Sequence, residues 1–153
     1  MTDLYSSSPQ RFPTPSLRVA ASAGIDEAAR TVVLAYRTDS PPSVLERAIR
    51  SARQEEAALR TVVFETDGTA VPSAHALSET QVLVGALAES GLEFEVQRAD
   101  TDVASQILDL AADWNAELIV MSMRRRSPVM KLLLGSSAQR VILEAECPVV
   151  VVK

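Results

Sequence analysis

The chain has few of the residues that form covalent or metal-centred sites. Its 153 residues include one cysteine, Cys147, and one histidine, His75. A single cysteine excludes an internal disulfide, and this pair alone cannot supply the ligands of a structural zinc site. We predict that Cys147 is a buried, inert thiol, and we assign no catalytic role to His75, because no second base or nucleophile lies near it in the sequence.

The chain also lacks net positive charge and long apolar runs. The formal net charge is -5, so broad affinity for nucleic acid or for an anionic membrane, which usually needs a basic surface, is not expected. No segment approaches the ~18 uninterrupted apolar residues of a membrane-spanning helix. Together with the single cysteine, this favours a cytoplasmic protein. Hydrophobic residues are 47% of the chain, which is ordinary for one globular domain with a sizeable core.

The N-terminal region differs in composition from the rest. Residues 1–16 contain Pro9, Pro13 and Pro15 and few large apolar side chains. Residues 17–30 are predicted to form a short helix or to remain loose. We therefore predict a flexible N-terminal extension over residues 1–30 and a folded domain over residues 31–153.

From Thr31 onward, apolar strand patterns alternate with helical ones. The predicted strands are Thr31–Tyr36, Thr61–Glu65, Leu92–Val96, Leu118–Met121 and Val149–Val152. Four helices are predicted between them. The first has a capping box of Ser43 and Glu46, and the second is capped by Ser78 with Gln81 after a loop over residues 66–75. This order predicts an α/β fold with an open, mostly parallel five-stranded sheet and helices on both faces. The apolar–charged alternation of Leu92–Val96 places that strand nearer the sheet edge.

The last third of the chain has the features of an anion site. Arg124, Arg125 and Arg126 follow the fourth predicted strand, and Gly135, Ser136 and Ser137 open the next helix. The N-terminus of a helix offers backbone N–H groups and the positive end of a dipole, both of which suit a phosphate. Ligands of open α/β sheets bind beyond the carboxyl ends of the strands.

These residues also resemble a known family. The run Leu118-Ile-Val-Met-Ser, the arginines, Lys131-Leu-Leu-Leu-Gly-Ser-Ser and the ending Cys147-Pro-Val-Val-Val-Val resemble the C-terminal half of a universal stress protein of the UspA type. The resemblance extends from about residue 31 to residue 153. It implies the adenine-nucleotide alpha-hydrolase-like fold and a non-enzymatic, stress-response binding or regulatory module. It also implies an adenine nucleotide such as ATP as ligand, and a homodimer in which the last strand takes part.

Two contact regions of the family's nucleotide site are altered. Nucleotide-binding members carry G-x2-G-x9-G-(S/T), and the aligned residues here are Ser122, Arg125, Gly135 and Ser136. Members also resemble V-A-V-D-G-S at the first strand, where an acid helps to hold the nucleoside; this chain has Arg37 there. The predicted binding residues are Arg37, Asp39, Ser122, Arg124, Arg125, Arg126, Gly135, Ser136 and Ser137.

Several interpretations of these residues stay open. The three arginines can replace the lost glycines with charge-assisted phosphate contacts, form a solvated basic loop, or contact an acidic partner. A dimeric scaffold without a nucleotide and a weak ATPase are the alternative functions, with Asp39 as the candidate acid for Mg²⁺. An ATP pyrophosphatase is disfavoured, since that class resembles S-G-G-x-D-S after its first strand and both glycines are missing here. The apolar strand Val149–Val152 predicts a homodimer through residues 148–153.

Overall fold

The computed structural model describes residues 17–65, 74–125, 132–133 and 135–153. The strands are β1 (Arg18–Ala21), β2 (Thr31–Arg37), β3 (Ala58–Phe64), β4 (Phe94–Arg98), β5 (Leu118–Ser122), β6 (Arg124–Arg125), β7 (Leu132–Leu133) and β8 (Val149–Val152). Six of them form one sheet in the order β1-β4-β3-β2-β5-β8, in which β1 is antiparallel to its neighbour and the other strands are parallel. The helices are α1 (Pro42–Glu55), α2 (Ala74–Ser90), α3 (Val103–Asp113) and α4 (Ser136–Glu144).

Two apolar layers cover the sheet. On one face, Val44 of α1 and Leu83 of α2 pack with Leu34 of β2. On the other face, Ile107 of α3 and Val141 of α4 pack with residues such as Ile119. Successive side chains of a strand point to opposite faces, so strands that are buried on both sides are apolar almost throughout. The predicted α/β class, with a mostly parallel sheet and helices on both faces, is confirmed, although the sheet has six strands and not five.

The sixth strand comes from the segment that was expected to be a short helix or loose. β1 pairs with β4, with Arg18 opposite Gln97, and the amide of Arg98 donates to the carbonyl of Leu17 at 2.8 Å. A short 3-10 turn, Ile25–Glu27, follows it. Part of the predicted extension thus lies in the sheet, whereas residues 1–16 lie outside the described residues.

The polar side chains of β4 are buried, although the strand lies near the sheet edge as expected. This strand lies second from the edge, and Glu95 and Gln97 are 0% and 4% exposed. The alternation of apolar and polar side chains resembles that of a strand with one solvated face. Here, however, the polar side faces Arg60 and Gln106, with which Glu95 and Gln97 form hydrogen bonds.

Helix starts differ from the predicted caps. α1 begins at Pro42 after Pro41, so Ser43 lies inside the helix and the predicted capping box is absent there. α2 begins at Ala74, which places Ser78 within it, and residues 66–73 of the predicted loop lie outside the described residues. The N-terminus of α3 is capped by a side chain that was not predicted. Asp102 accepts a hydrogen bond there from the amide of Ser105.

Two features are not found in the described part of the chain. None of its helices combines the length and hydrophobicity that crossing a bilayer requires. No group of three or more histidine, cysteine or acidic side chains is arranged there to hold a metal ion.

Candidate functional site

A small cleft lies where the chain reverses its direction across the sheet. From β2 the chain adds β3 and β4 on one side, and then β5 and β8 on the other. β2 and β5 are therefore neighbours at the switch point, where open α/β sheets bind their ligands. The residues that line the cleft come from strand ends and from the start of α4: Ala35, Arg37, Phe64, Ile107, Met121, Ser122, Gly135, Ser137 and Ala138.

Arg37 is the cation of this cleft. It is the last residue of β2 and is 9% exposed. Its Nε and Nη2 donate to the two carboxylate oxygens of Asp39 at 3.0 and 2.9 Å, a bidentate pairing that fixes the guanidinium plane. Asp39, which was also predicted to contact a ligand, is the partner of the residue that lines the cleft.

Ser122 ends β5 on the opposite side of the switch point. Its hydroxyl lies 3.4 Å from that of Ser40, so the end of β5 is joined to the turn that follows β2. Ser40 is not among the predicted binding residues. Its place directly after a strand at the carboxyl edge is the signal that could have marked it as a neighbour of the site.

The start of α4 forms the third wall. Gly135 is the N-cap residue and has no side chain to cap the helix, and Ser137 lies half-buried in the cleft. α4 is held against α3, because Arg140 donates to both carboxylate oxygens of Asp102 at 3.1 Å. The positive dipole end of this nine-residue helix lies at the cleft, since Gly135 and Ser137 line it.

The arginine segment is only partly described. The backbone of Arg124 and Arg125 forms a short strand, β6, which pairs antiparallel with β7 (Leu132–Leu133). A plain loop had been predicted there. Arg126 lies outside the described residues. The structure thus gathers Arg37, Ser122, Gly135 and Ser137 around one cleft, with Ser136 exposed at the first turn of α4.

The enclosed space is small, whereas a larger cavity adjoins it. The cleft encloses about 20 Å³, which holds roughly one water molecule. A second cavity of about 210 Å³ lies at the carboxyl ends of β3 and β4 and shares the wall residue Phe64. Its lining is mainly apolar and includes Val63, Ala76 and Leu77. A charged, donor-rich cleft thus lies beside an apolar cavity.

Comparison with known proteins identifies the family. The profile of the universal stress protein family matches residues 28–153. The chain belongs to this family. It is 35% identical over 126 residues to a universal stress protein of Mycolicibacterium smegmatis, covering 80% of this chain and 96% of that protein.

Solved structures share the fold of this universal stress protein. That of a universal stress protein from Archaeoglobus fulgidus has a TM-score of 0.65 and 28% identity, covering 81% of this chain and 98% of that one. A complex with dAMP from the same organism has a TM-score of 0.60 and 24% identity, with the same coverage. A universal stress protein solved in complex with cAMP has a TM-score of 0.59 and 21% identity, covering 82% of this chain and 97% of that one.

Proposed function

We propose that this universal stress protein is a non-enzymatic binding module that takes up an adenine nucleotide such as ATP at the β2–β5 switch point. The observation that carries the proposal is the meeting of the Arg37 guanidinium, the Ser122 hydroxyl and the first turn of α4 in one cleft. Each of these groups favours a phosphate, by charge or by donating hydrogen bonds. Relatives that were crystallised with dAMP and cAMP motivate the choice of ligand.

The adjoining apolar cavity supports a nucleotide over inorganic phosphate. Phe64 separates the cleft from the cavity, so a ligand that lies across this residue places its phosphates and its base in different surroundings. An adenine ring is flat and largely apolar, and the cavity of about 210 Å³ exceeds the 150 Å³ of an engineered cavity that binds benzene. We place the base there.

We assign to arginine the phosphate contacts that glycines make in nucleotide-binding members of the family. Glycine allows a loop backbone to approach a phosphate closely, and Ser122 and Arg125 occupy two of those positions. A guanidinium reaches a phosphate through a longer side chain and forms two parallel hydrogen bonds with it. In the proposal, the guanidinium groups of Arg124, Arg125 and Arg126 supply charge-assisted phosphate contacts in place of those of the glycines.

We propose nucleotide binding rather than hydrolysis because the carboxylate of Asp39 is already paired with Arg37. Its carboxylate is engaged by Arg37, whereas a Mg²⁺ ligand for phosphoryl transfer must direct its oxygens to the metal. A weak ATPase remains the alternative within the same site.

The test is a search for bound nucleotide, followed by calorimetry. Protein purified without added ligand is denatured, and the released fraction is read by its absorbance ratio and by mass spectrometry. ATP is then titrated into the wild type and into Ser122→Gly with Arg125→Gly. Binding by the wild type supports the proposal. Binding by the double variant alone would eliminate phosphate contact by arginine, and binding by neither protein would favour the dimeric scaffold.

The edge position and apolar composition of β8 support a second proposal, a homodimer through residues 148–153. β8 lies at one boundary of the sheet, and its four valines are half-buried. An apolar edge strand of this kind can pair with the edge of another chain. Leu143, 82% exposed on α4, adds apolar surface close in sequence to this edge.

The dimer is tested by light scattering coupled to size exclusion. Removing residues 148–153 should give monomer or aggregate, and Val151→Lys should give monomer with unchanged far-ultraviolet circular dichroism. Val82→Lys, at a 65% exposed position on α2, is the matched control and should leave the mass of the dimer unchanged. A soluble dimer of unchanged mass after both changes to β8 would refute the interface.

A further inference from the structure

The apolar cavity at the carboxyl ends of β3 and β4 leaves large apolar side chains in contact with solvent. Val19 of β1 and Leu77 of α2 both line it, and they are 46% and 54% exposed. Within the described part of the chain, nothing covers these two side chains. Apolar side chains that stay exposed around a cavity are typical of a surface on which another segment or molecule binds.

The start of β1 forms part of the wall of this cavity. β1 runs antiparallel to β4, so its first residue lies beside the carboxyl end of β4. The amide of Arg98 donates to the carbonyl of Leu17 at 2.8 Å, and Arg98 and Val19 both line the cavity. Residues 1–16 are therefore joined to the fold at the cavity itself.

This N-terminal segment contains a large apolar side chain close to that point. Phe12 precedes Leu17 by five residues, and Pro13 and Pro15 favour an extended chain between them. Five residues of extended chain span about 15 Å, which is enough for the ring to reach back into the cavity. An engineered cavity of about 150 Å³ binds benzene. The cavity here encloses about 210 Å³ and so has room for a phenyl ring.

We propose that the N-terminal segment docks on its own domain, with the ring of Phe12 in the apolar cavity. The segment precedes the region that the family profile matches, which begins at residue 28, so it is additional to the domain that the family shares. The docking does not depend on the proposed nucleotide site, but its consequence for nucleotide affinity rests on that proposed function. If the adenine base occupies the same cavity, the base and Phe12 compete for it, and the segment lowers the affinity for nucleotide.

Methyl nuclear magnetic resonance of the full-length chain tests the docking directly. The ring of Phe12 should give nuclear Overhauser contacts to the methyl groups of Ala76 and Leu77 and shift their signals by its ring current. Phe12→Leu keeps an apolar side chain but removes the ring, so it should move those signals. Tyr5→Leu, the matched change at the other aromatic residue of the segment, should leave them in place. Thermal melting establishes that each variant is folded.

Access to the cavity is measured by titration with the fluorophore 1-anilinonaphthalene-8-sulfonate. If the docked form makes up roughly nine-tenths of the molecules, Phe12→Ala should tighten binding of the fluorophore about tenfold, because every cavity is then free. Val71→Ala is the matched control, since residue 71 lies between β3 and α2, which also contribute to the cavity wall. It should leave the affinity for the fluorophore unchanged.

Calorimetry with ATP separates the docking from its consequence. ATP should bind Phe12→Ala more tightly than the wild type by about the same factor as the fluorophore, because the base no longer has to displace the ring. If the methyl signals and the fluorophore support docking but ATP binds both proteins equally, the docking stands and the competition is overturned. If no adenine nucleotide binds either protein, the proposed function fails, and the methyl signals still decide the docking.

Three results would overturn the docking and leave the proposed nucleotide site as it stands. The first is that the cavity methyl signals are the same in the wild type and in Phe12→Leu. The second is that Val71→Ala, and not Phe12→Ala, tightens binding of the fluorophore, which would assign the cover to the segment between β3 and α2. The third is that contacts of Phe12 arise only between labelled and unlabelled copies, which would place the ring on a partner chain.

Discussion

Arg60 and Glu95 form an ion pair inside the protein, with the guanidinium Nη1 2.6 Å from the carboxylate Oε1 and side chains that are 0% and 1% exposed. Arg60 also donates to the carbonyl of Ile25 at 2.9 Å, and Glu95 accepts from Arg18 at 3.0 Å and from Gln97 at 2.9 Å. Buried charges are tolerated when each is paired and its remaining hydrogen bonds are satisfied. This cluster joins three strands on the face that α3 covers.

Removing the carboxylate should strongly destabilise the fold. Glu95→Gln leaves Arg60 and part of Arg18 without a counter-charge, so we expect the free energy of unfolding to fall by about 3 kcal/mol. The measurement is urea unfolding followed by the fluorescence of Trp114, the single tryptophan of the chain. Glu89→Gln, at an exposed position of α2, is the control and should change little. Equal stability of the two variants would contradict the structural role of the buried pair.

The carboxylate of Glu95 should also make the stability of the fold depend on pH. Burial pushes the pKa of Glu95 up, but hydrogen bonds from Gln97 and Arg60 and the charge of Arg18 outweigh it and leave the pKa below its ordinary value. A folded-state pKa below the unfolded one contributes stability above the unfolded value, about 4.3, that is lost as pH falls through the folded value. The difference in unfolding free energy between wild type and Glu95→Gln should be constant from pH 7 to about pH 5 and shrink in more acidic solution. A difference that stays constant down to about pH 3 would argue against this assignment.

Trp114 should stabilise the buried arginine through its ring. The Cζ atom of Arg60 lies 3.5 Å from the ring centroid, a close cation–π contact. We expect Trp114→Phe to lose less stability than Trp114→Leu, with a difference of about 1 kcal/mol in favour of the aromatic ring. Urea unfolding followed by circular dichroism measures it, since both variants lack tryptophan. If the leucine variant is as stable as the phenylalanine variant, the contact contributes only through packing.

Asp102 should act mainly as a helix cap and only weakly as an ion-pair partner. Its carboxylate accepts from the amide of Ser105 at 3.0 Å and pairs with the exposed Arg140. Asp102→Ala removes the cap and should lower the melting temperature, whereas Asp102→Asn keeps an acceptor and should lower it less. Thermal melting of both variants beside Asp109→Asn, an exposed position of α3, separates the two roles. Equal losses in the alanine and asparagine variants would assign the stabilisation to charge.

The parallel core of the fold could be predicted because its signals are local. β2, β3 and β5 are apolar runs between amphipathic helices, and each can be recognised without its neighbours. β1 has only four residues, and its partner β4 lies more than seventy residues later in the chain, so no local pattern marks it. The burial of Glu95 could not be predicted from a local pattern either, because it depends on Arg60 in the adjacent strand.

The site was predictable to the extent that it depends on topology. Carboxyl ends of parallel strands meet at one edge, which is why Arg37, Ser122 and Gly135 could be expected near one another. The pairing of Arg37 with Asp39 depends on the geometry of a turn, and the hydrogen bond of Ser40 with Ser122 depends on the separation of two strand ends. Neither distance can be read from residue types.

The hydrogen bonds of Arg18 also have a consequence for how the first strand is aligned. β1 has a register irregularity between Arg18 and Ala20, which sets the face on which the guanidinium meets Glu95. Sliding β1 by one residue would turn that guanidinium to the opposite side and remove both hydrogen bonds that Arg18 donates to the carboxylate. The carboxylate of Glu95 therefore favours one register of β1 and disfavours the registers that are shifted by one residue.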